Sequence, residues 1–466
     1  MKIALLLYPM NDLGGIINHA EDLAWGFKEL GHQIDLYFLY WKKSIKETTD
    51  DEVVLDALIK QGLWSKGAFG VVNQQSGWKL KQEQKLNYFG EENIKRTIDK
   101  LQQYNLLIWE TSVPSASGDN KGNHDWVKLY QSGVPNIGFI HDGNFKDGYP
   151  WLYAVMNQFH GLACVHDCAY NSAESIAIPR ALILNPQNLD KYSCGLPYEK
   201  REKGFLSLQT FKKWKHVDDI VRAIPYMKPT TKKYLAGGGI EYRYMTSKDK
   251  IKEEYIARAL EDPDLPQDIA RQRKPIWDRA LEHGMVWLGY ITNEKRDDRL
   301  RKLRVLVDPS WSNKYAAIGG HYNRTVVDAI LNNTIPVATS LGMLGIKGVS
   351  SIFKPDINFI SLKANLTPKQ YAQVIEYACN LNSKERNKII ESNKILLKMF
   401  DRKLIAQQII NLSRGKPTGL LGKIEKGTTT AKIKSDSNKA MVGFFGEPIK
   451  KNIRNKWGIN NNENLC

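Results

Sequence analysis

Apolar residues arrive along this chain in short runs that alternate with amphipathic stretches. The run at 2–8 reads as a buried strand. After it come Gly14-Gly15 and a 3.6-period helix near 17–30, which Gly31 terminates. Further strands are expected at 33–38, 106–109, 136–140, 162–165 and 181–184. A second series follows at 205–208, 233–236, 286–288, 305–307 and 335–338, with helices at 217–227, 250–260 and 293–301. Strands alternating with helices predict an α/β architecture built on parallel sheets.

Interruptions divide the pattern. Residues 60–90, with Trp64, Gly67, Gly70, Gln74, Gln75 and Trp78, fit neither period and read as an insertion or long loop of the kind that contacts substrates. Asn185-Pro186 and the stretch 195–204 read as an interdomain linker, with Lys200, Arg201 and Lys203 as a solvated face. The expected division is therefore a first domain over 1–195, a second over 203–412 and a basic tail over 413–466. That tail carries eleven Lys or Arg against four acids. Its part up to 440 reads as solvated chain. Lys450, Lys451, Arg454 and Lys456 can instead form an electrostatic arm, and the apolar island Met441–Phe445 with Trp457 can pack back on the first domain.

Bulk composition narrows the classes. At 466 residues and 42% hydrophobic, the chain can bury two cores. Its formal charge of +17 favours a polyanionic partner, whether nucleic acid, an acidic membrane surface or a phosphate-rich polymer; solubility alone is the plainer reading. Five scattered cysteines form no disulfide framework, and Cys164 and Cys168 around His166 read as packing. The N-terminal apolar run is broken at once by Pro9-Met10-Asn11-Asp12, and no stretch approaches the ~20 apolar residues of a membrane span. A cytoplasmic monomer is expected.

Candidate chemistry sits where strands end, since ligands of parallel sheets bind there. Gly14-Gly15 lets a ligand approach backbone between the first strand and helix. Lys215, after Lys212-Lys213-Trp214, opens the helix behind strand 205–208 and is placed to meet a diphosphate. The loop Gly319-Gly320-His321-Tyr322-Asn323-Arg324-Thr325 leads into a helix whose first turn attracts an anion. Asp328, one turn on, suits either ribose hydroxyls or the helix dipole. His141-Asp142, at the end of strand 136–140, is the first choice for proton transfer and charge stabilisation, and His166-Asp167 is the second.

These residues coincide with one family. Segments 106–117, 138–142, 211–215 and 328–337 resemble GT-B glycosyltransferases, and within them the DNA-modifying glucosyltransferases of T-even phages. The resemblance implies two Rossmann-like doubly wound domains facing a central cleft, with acceptor bound by the first and nucleotide sugar by the second. It implies Asp142 and His141 as catalytic residues, and Gly14, Gly15, Lys212, Lys215, Tyr290, Gly319, Gly320, Arg324, Thr325 and Asp328 as the donor site. Many retaining members carry glutamate eight positions before the ribose carboxylate, where this chain has Gly320. The implied reaction moves a sugar, expected to be glucose, from a UDP-sugar to the hydroxymethyl group of a modified pyrimidine in duplex DNA. No metal ligand is expected, although a divalent ion can stimulate. Two alternatives are a peripheral membrane glycosyltransferase making glycolipid or wall polymer, and an inactive member acting as a DNA-binding module.

Overall fold

The computed structural model describes residues 1–7, 15–40, 85–87, 91–110, 129–130, 132–141, 156, 158–173, 176, 178–192, 195–209, 215–237, 276–289, 291–311, 322–344, 350–416, 418–420 and 425–426. The helix expected at 250–260, most of the 60–90 segment, the island Met441–Phe445 and Trp457 lie outside them. The chain forms two compact units. One runs to Pro186 and resumes at Lys403, and the other includes Gln187–Arg402.

The first unit begins with β1 (Lys2–Leu7), α1 (Gly15–Glu29) and β2 (Gln33–Tyr40), followed by β3 (Lys85–Asn87) and α2 (Glu91–Leu101). Strands β4 (Leu106–Trp109), β5 (Asn136–Ile140) and β6 (Gly161–Cys164) come next, then α3 (Asp167–Ser172) and β7 (Pro179–Leu182). Every residue of β4, β5 and β6 is buried, as central parallel strands covered on both faces must be. Helix α1 buries Ala20, Leu23, Ala24 and Phe27, a 3.6-period stripe, and ends with Gly31 at φ 78° as its sequence predicts. Among the described residues, the expected loop at 60–90 holds a strand: β3 pairs in parallel with the edge of β2. Three residues are too few to show a period.

The second unit opens with β8 (Glu202–Leu208), α4 (Val217–Ala223), β9 (Lys232–Ala236) and β10 (Met285–Trp287). It continues through α5 (Asn293–Lys302), β11 (Leu303–Asp308), α6 (Arg324–Leu331), β12 (Ile335–Thr339) and α7 (Ser340–Leu344). It closes with β13 (Ile360–Leu362), α8 (Pro368–Cys379) and α9 (Ser383–Leu397). Phe205, Val305, Val307, Ile335 and Val337 from the sheet pack with Ile220 and Val221 of α4 and with Tyr371 and Ile375 of α8. The chain then returns to the first unit as α10 (Arg402–Ser413), and β14 (Glu425–Lys426) pairs antiparallel with β7.

Residues 195–204 correct the linker reading. Tyr198 and Arg201 are 8% and 4% exposed, and β8 already begins at Glu202. Lys200 and Lys203 are exposed as expected, but Arg201 is not part of their solvated face. Its guanidinium donates to the carbonyls of Leu196 (2.8 Å), Leu303 (3.3 Å), Asn332 (3.0 Å) and Asn333 (2.9 Å), and to Thr334 Oγ1 (3.4 Å). One planar fork thus satisfies carbonyls at the C-terminal end of α6 and at the first residue of β11.

Candidate functional site

Sheet order selects two places. In the first unit the strands run β14-β7-β6-β5-β4-β1-β2-β3, so the direction of winding reverses between β1 and β4. In the second they run β10-β9-β8-β11-β12-β13, which is the 3-2-1-4-5-6 order of a doubly wound sheet with its reversal between β8 and β11. Connections leaving the carboxyl ends of the strands at such a reversal part to opposite faces and open a crevice.

At the first reversal three side chains converge. Glu110 follows β4 directly, His141 follows β5, and His19 lies on the buried face of α1, one turn before Leu23. His19 Nδ1 is 2.9 Å from both oxygens of the Glu110 carboxylate, and His141 Nε2 is 3.3 Å from Oε2. Glu110 is fully buried. Burial alone would raise its carboxyl, but His19 and then His141 outweigh it and hold the group at about 2. A carboxylate only accepts, so it places the protons on His19 Nδ1 and His141 Nε2. The His141 side chain is the member that reaches the surface, at 17% exposure.

The second His-Asp pair has a different task. His166 is the N-cap of α3: its Nδ1 accepts from the Ala169 amide at 3.1 Å, and its Nε2 donates to the His141 carbonyl at 2.9 Å. Burial lowers its imidazole to about 4, which fits a neutral ring with one donor and one acceptor. Both nitrogens are used, leaving none for a metal with Cys164 and Cys168. Burial pushes the Cys164 thiol up to about 12, far from a reactive thiolate. His166 therefore anchors the backbone that presents His141.

At the second reversal the structure brings together Lys215, behind β8, and the entry to α6, behind β11. Lys215 Nζ donates to Asn323 Oδ1 at 2.6 Å. Asn323 Nδ2 donates in turn to Asp308 Oδ2 (2.6 Å) and Ser310 Oγ (3.0 Å). Asn323 is the N-cap of α6, yet its side chain makes no capping bond because the amide is committed to this network. In the first turn of α6, Thr325 Oγ1 is buried and has no hydrogen-bond partner among the described residues. Arg324 Nη2 reaches Gln187 Oε1 at 3.3 Å.

His216 fixes the lysine's backbone. It takes the left-handed conformation at φ 49°, stacks on Trp311 at 4.7 Å, and its Nε2 donates to the Trp311 carbonyl at 3.0 Å. The ends of the strands are also closely packed. A Cβ on Gly237, at φ 102°, would lie 2.1 Å from the Gln209 carbonyl, so only glycine lets these two strand ends approach. Asp328 is 3% exposed and pairs with Arg296 of α5, Nη1 to Oδ2 at 2.9 Å. It stands beyond the first turn, where a dipole role fades.

Among the sequence-predicted residues, Lys215, Arg324 and Thr325 thus meet at one strand-end region, and His141 stands in another. Gly15 is the first residue of α1. Asp142, Gly14, Lys212, Tyr290, Gly319, Gly320, Lys450, Lys451, Arg454 and Lys456 lie outside the described residues. Sequence reasoning missed His19, Glu110, His216, Asp308 and Asn323 as site residues. Glu110 and Asp308, each the first polar residue after an expected, wholly apolar strand, carried a local signal.

No family model matches this chain, and no curated protein matches its sequence. Its fold does match solved structures. HepE from Anabaena, in complex with UDP, superposes with a TM-score of 0.58 at 14% identity, covering 88% of this chain and 99% of that one. An α-glucosyltransferase in complex with UDP and a 13-mer DNA containing an HMU base gives 0.57 at 13% identity, covering 89% and 99%. A glycosyltransferase from Rickettsia africae gives 0.56 at 14% identity, covering 89% and 97%. At these identities the likeness establishes the fold: two Rossmann-like α/β lobes with parallel sheets, arranged in sequence as in GT-B proteins.

Proposed function

We propose that this protein is a glycosyltransferase that takes a sugar from a UDP-sugar, with the donor diphosphate bound at Lys215 and the N-terminus of α6. One observation carries the reading. Lys215 is held 2.6 Å from the N-cap residue of α6, at the winding reversal of a 3-2-1-4-5-6 sheet. A cation beside a helix N-terminus whose cap side chain is turned elsewhere forms a diphosphate site. Thr325 Oγ1 and Arg324 add donors to it. Asp328, buried against Arg296, is assigned the support of α6 rather than direct contact with ribose.

In the first unit, His141 accepts the proton of the attacking hydroxyl. Glu110 keeps His141 as the Nε2–H tautomer, which leaves the Nδ1 lone pair as the base. Asp142 belongs to this reading as the adjacent charge stabiliser. Lys215→Ala is expected to weaken UDP binding by ~1.5–3 kcal/mol, the worth of a charge-assisted hydrogen bond. Calorimetric titration with UDP checks it, and unchanged affinity would return Lys215 to the solvated surface.

For the acceptor, the favoured reading is duplex DNA bearing a hydroxymethylated pyrimidine, flipped out to expose its hydroxyl. The chain's +17 charge supports it, as do relatives of the fold that were solved with DNA. Lys450, Lys451, Arg454 and Lys456 are proposed to bind phosphates. Removing residues 448–466 should then flatten the log–log salt dependence of DNA binding by roughly 0.9 for each phosphate no longer neutralised. A normal melt with an unchanged slope would exclude the tail. Among the described residues no helix is long and apolar enough to cross a membrane.

A further inference from the structure

The His19–Glu110–His141 cluster has a second capacity that acid–base chemistry does not require. Its three ligand atoms come from three different elements and all lie within 4.8 Å of one another. Two imidazole nitrogens point at one carboxylate, the donor set that divalent zinc and other late first-row ions select. The positions are held from behind. Phe139 meets the His19 ring edge-on at 4.7 Å and stacks with His141 at 5.7 Å, while His166 grips the His141 carbonyl. Fixed orientation of this kind is what outer-layer partners give metal-binding histidines.

We propose that His19 Nδ1, the Glu110 carboxylate and His141 Nε2 form a binding site for a single divalent transition-metal ion of the zinc class. On binding, each neutral imidazole shifts to its other tautomer: its proton moves from the nitrogen that faces Glu110 to the far ring nitrogen, and the facing lone pair turns to the metal. The space between these ligand atoms therefore holds either the two hydrogen bonds to Glu110 or a cation, never both. Two nitrogen ligands of three set its preference against magnesium and calcium, which take oxygen ligands.

Metal-free full-length protein titrated with Zn2+ is expected to show one saturable rise in melting temperature, and Co2+ should give a visible absorption band of the same stoichiometry. Mg2+ should do neither. His141→Gln should weaken Zn2+ binding by at least ~tenfold, and Glu110→Gln likewise. His283→Gln, at an exposed histidine of the other unit, should bind as the parent does. Because Glu110 is buried, its variant can lose stability; His141 is the partly exposed ligand, and its variant decides the matter alone. A parent protein without a zinc-dependent shift, or a shift that survives in His141→Gln, would overturn the proposal.

Discussion

Glu110→Gln is expected to lower turnover by ~10²–10⁴-fold while UDP affinity stays unchanged, the range for losing a properly oriented proton acceptor. Glutamine keeps the size of the carboxylate but brings an NH₂ donor and removes the charge. His19 and His141 then no longer both donate to an anion, and the Nε2–H tautomer of His141 loses its support. The prediction discriminates because Glu110 is fully buried at the end of β4, where a structural carboxylate would affect melting more than rate. Single-turnover rates and UDP titration on the same preparation separate the two. A variant with parental turnover and a lowered melt would make Glu110 structural and move the chemistry elsewhere.

Arg201→Ala should destabilise the protein by ~3–5 kcal/mol, a loss of the size seen when a buried charged partner is removed from groups that depend on it. Four backbone carbonyls and one hydroxyl would lose their donor, and the cavity left between β8, β11 and the end of α6 can refill only in part. A melting temperature lower by on the order of 10 °C follows for a domain of this size. Lys200→Ala and Lys203→Ala, at exposed neighbours, should stay within about 0.5 kcal/mol of the parent. Equal melts for all three would mean that Arg201 adds nothing its neighbours do not.

Arg201 also shows where local reading stops. Within Glu199-Lys200-Arg201-Glu202-Lys203 nothing distinguishes it from the lysines. Its burial depends on carbonyls more than a hundred residues away, at Leu303 and Asn332–Asn333. Strands that are buried on both faces were readable: 106–109 and 136–140 match β4 and β5 residue for residue, because a short apolar run between polar breaks has few other uses. The edge strands β3 and β13, three residues each, are too short to show a pattern. Two late helices that the sequence reading did not name carried a local signal all the same. Thr367 with Gln370, and Asn382 with Glu385, form the capping boxes of α8 and α9, and both are written in the sequence three residues apart.

The candidate site was legible by halves. A residue immediately after a strand is a site candidate by position alone, which identified His141 and, at one remove, Lys215. Partners were not legible, because pairing depends on sheet order and helix azimuth. His19 meets Glu110 only because β1 and β4 are neighbours and α1 turns that side chain inward. Asn323 meets Lys215 only because β8 and β11 are neighbours.

The central claim is sugar transfer from a UDP-sugar. It is tested most directly by incubating the protein with hydroxymethylated duplex DNA and a panel of nucleotide sugars, then weighing the nucleosides by mass spectrometry. The account predicts a hexose added to the hydroxymethylated base with UDP-glucose or another UDP-hexose, and no addition with Lys215→Ala at a donor concentration that saturates only the parent. No sugar on the DNA and no UDP released from any donor, by a protein that melts normally, would contradict it.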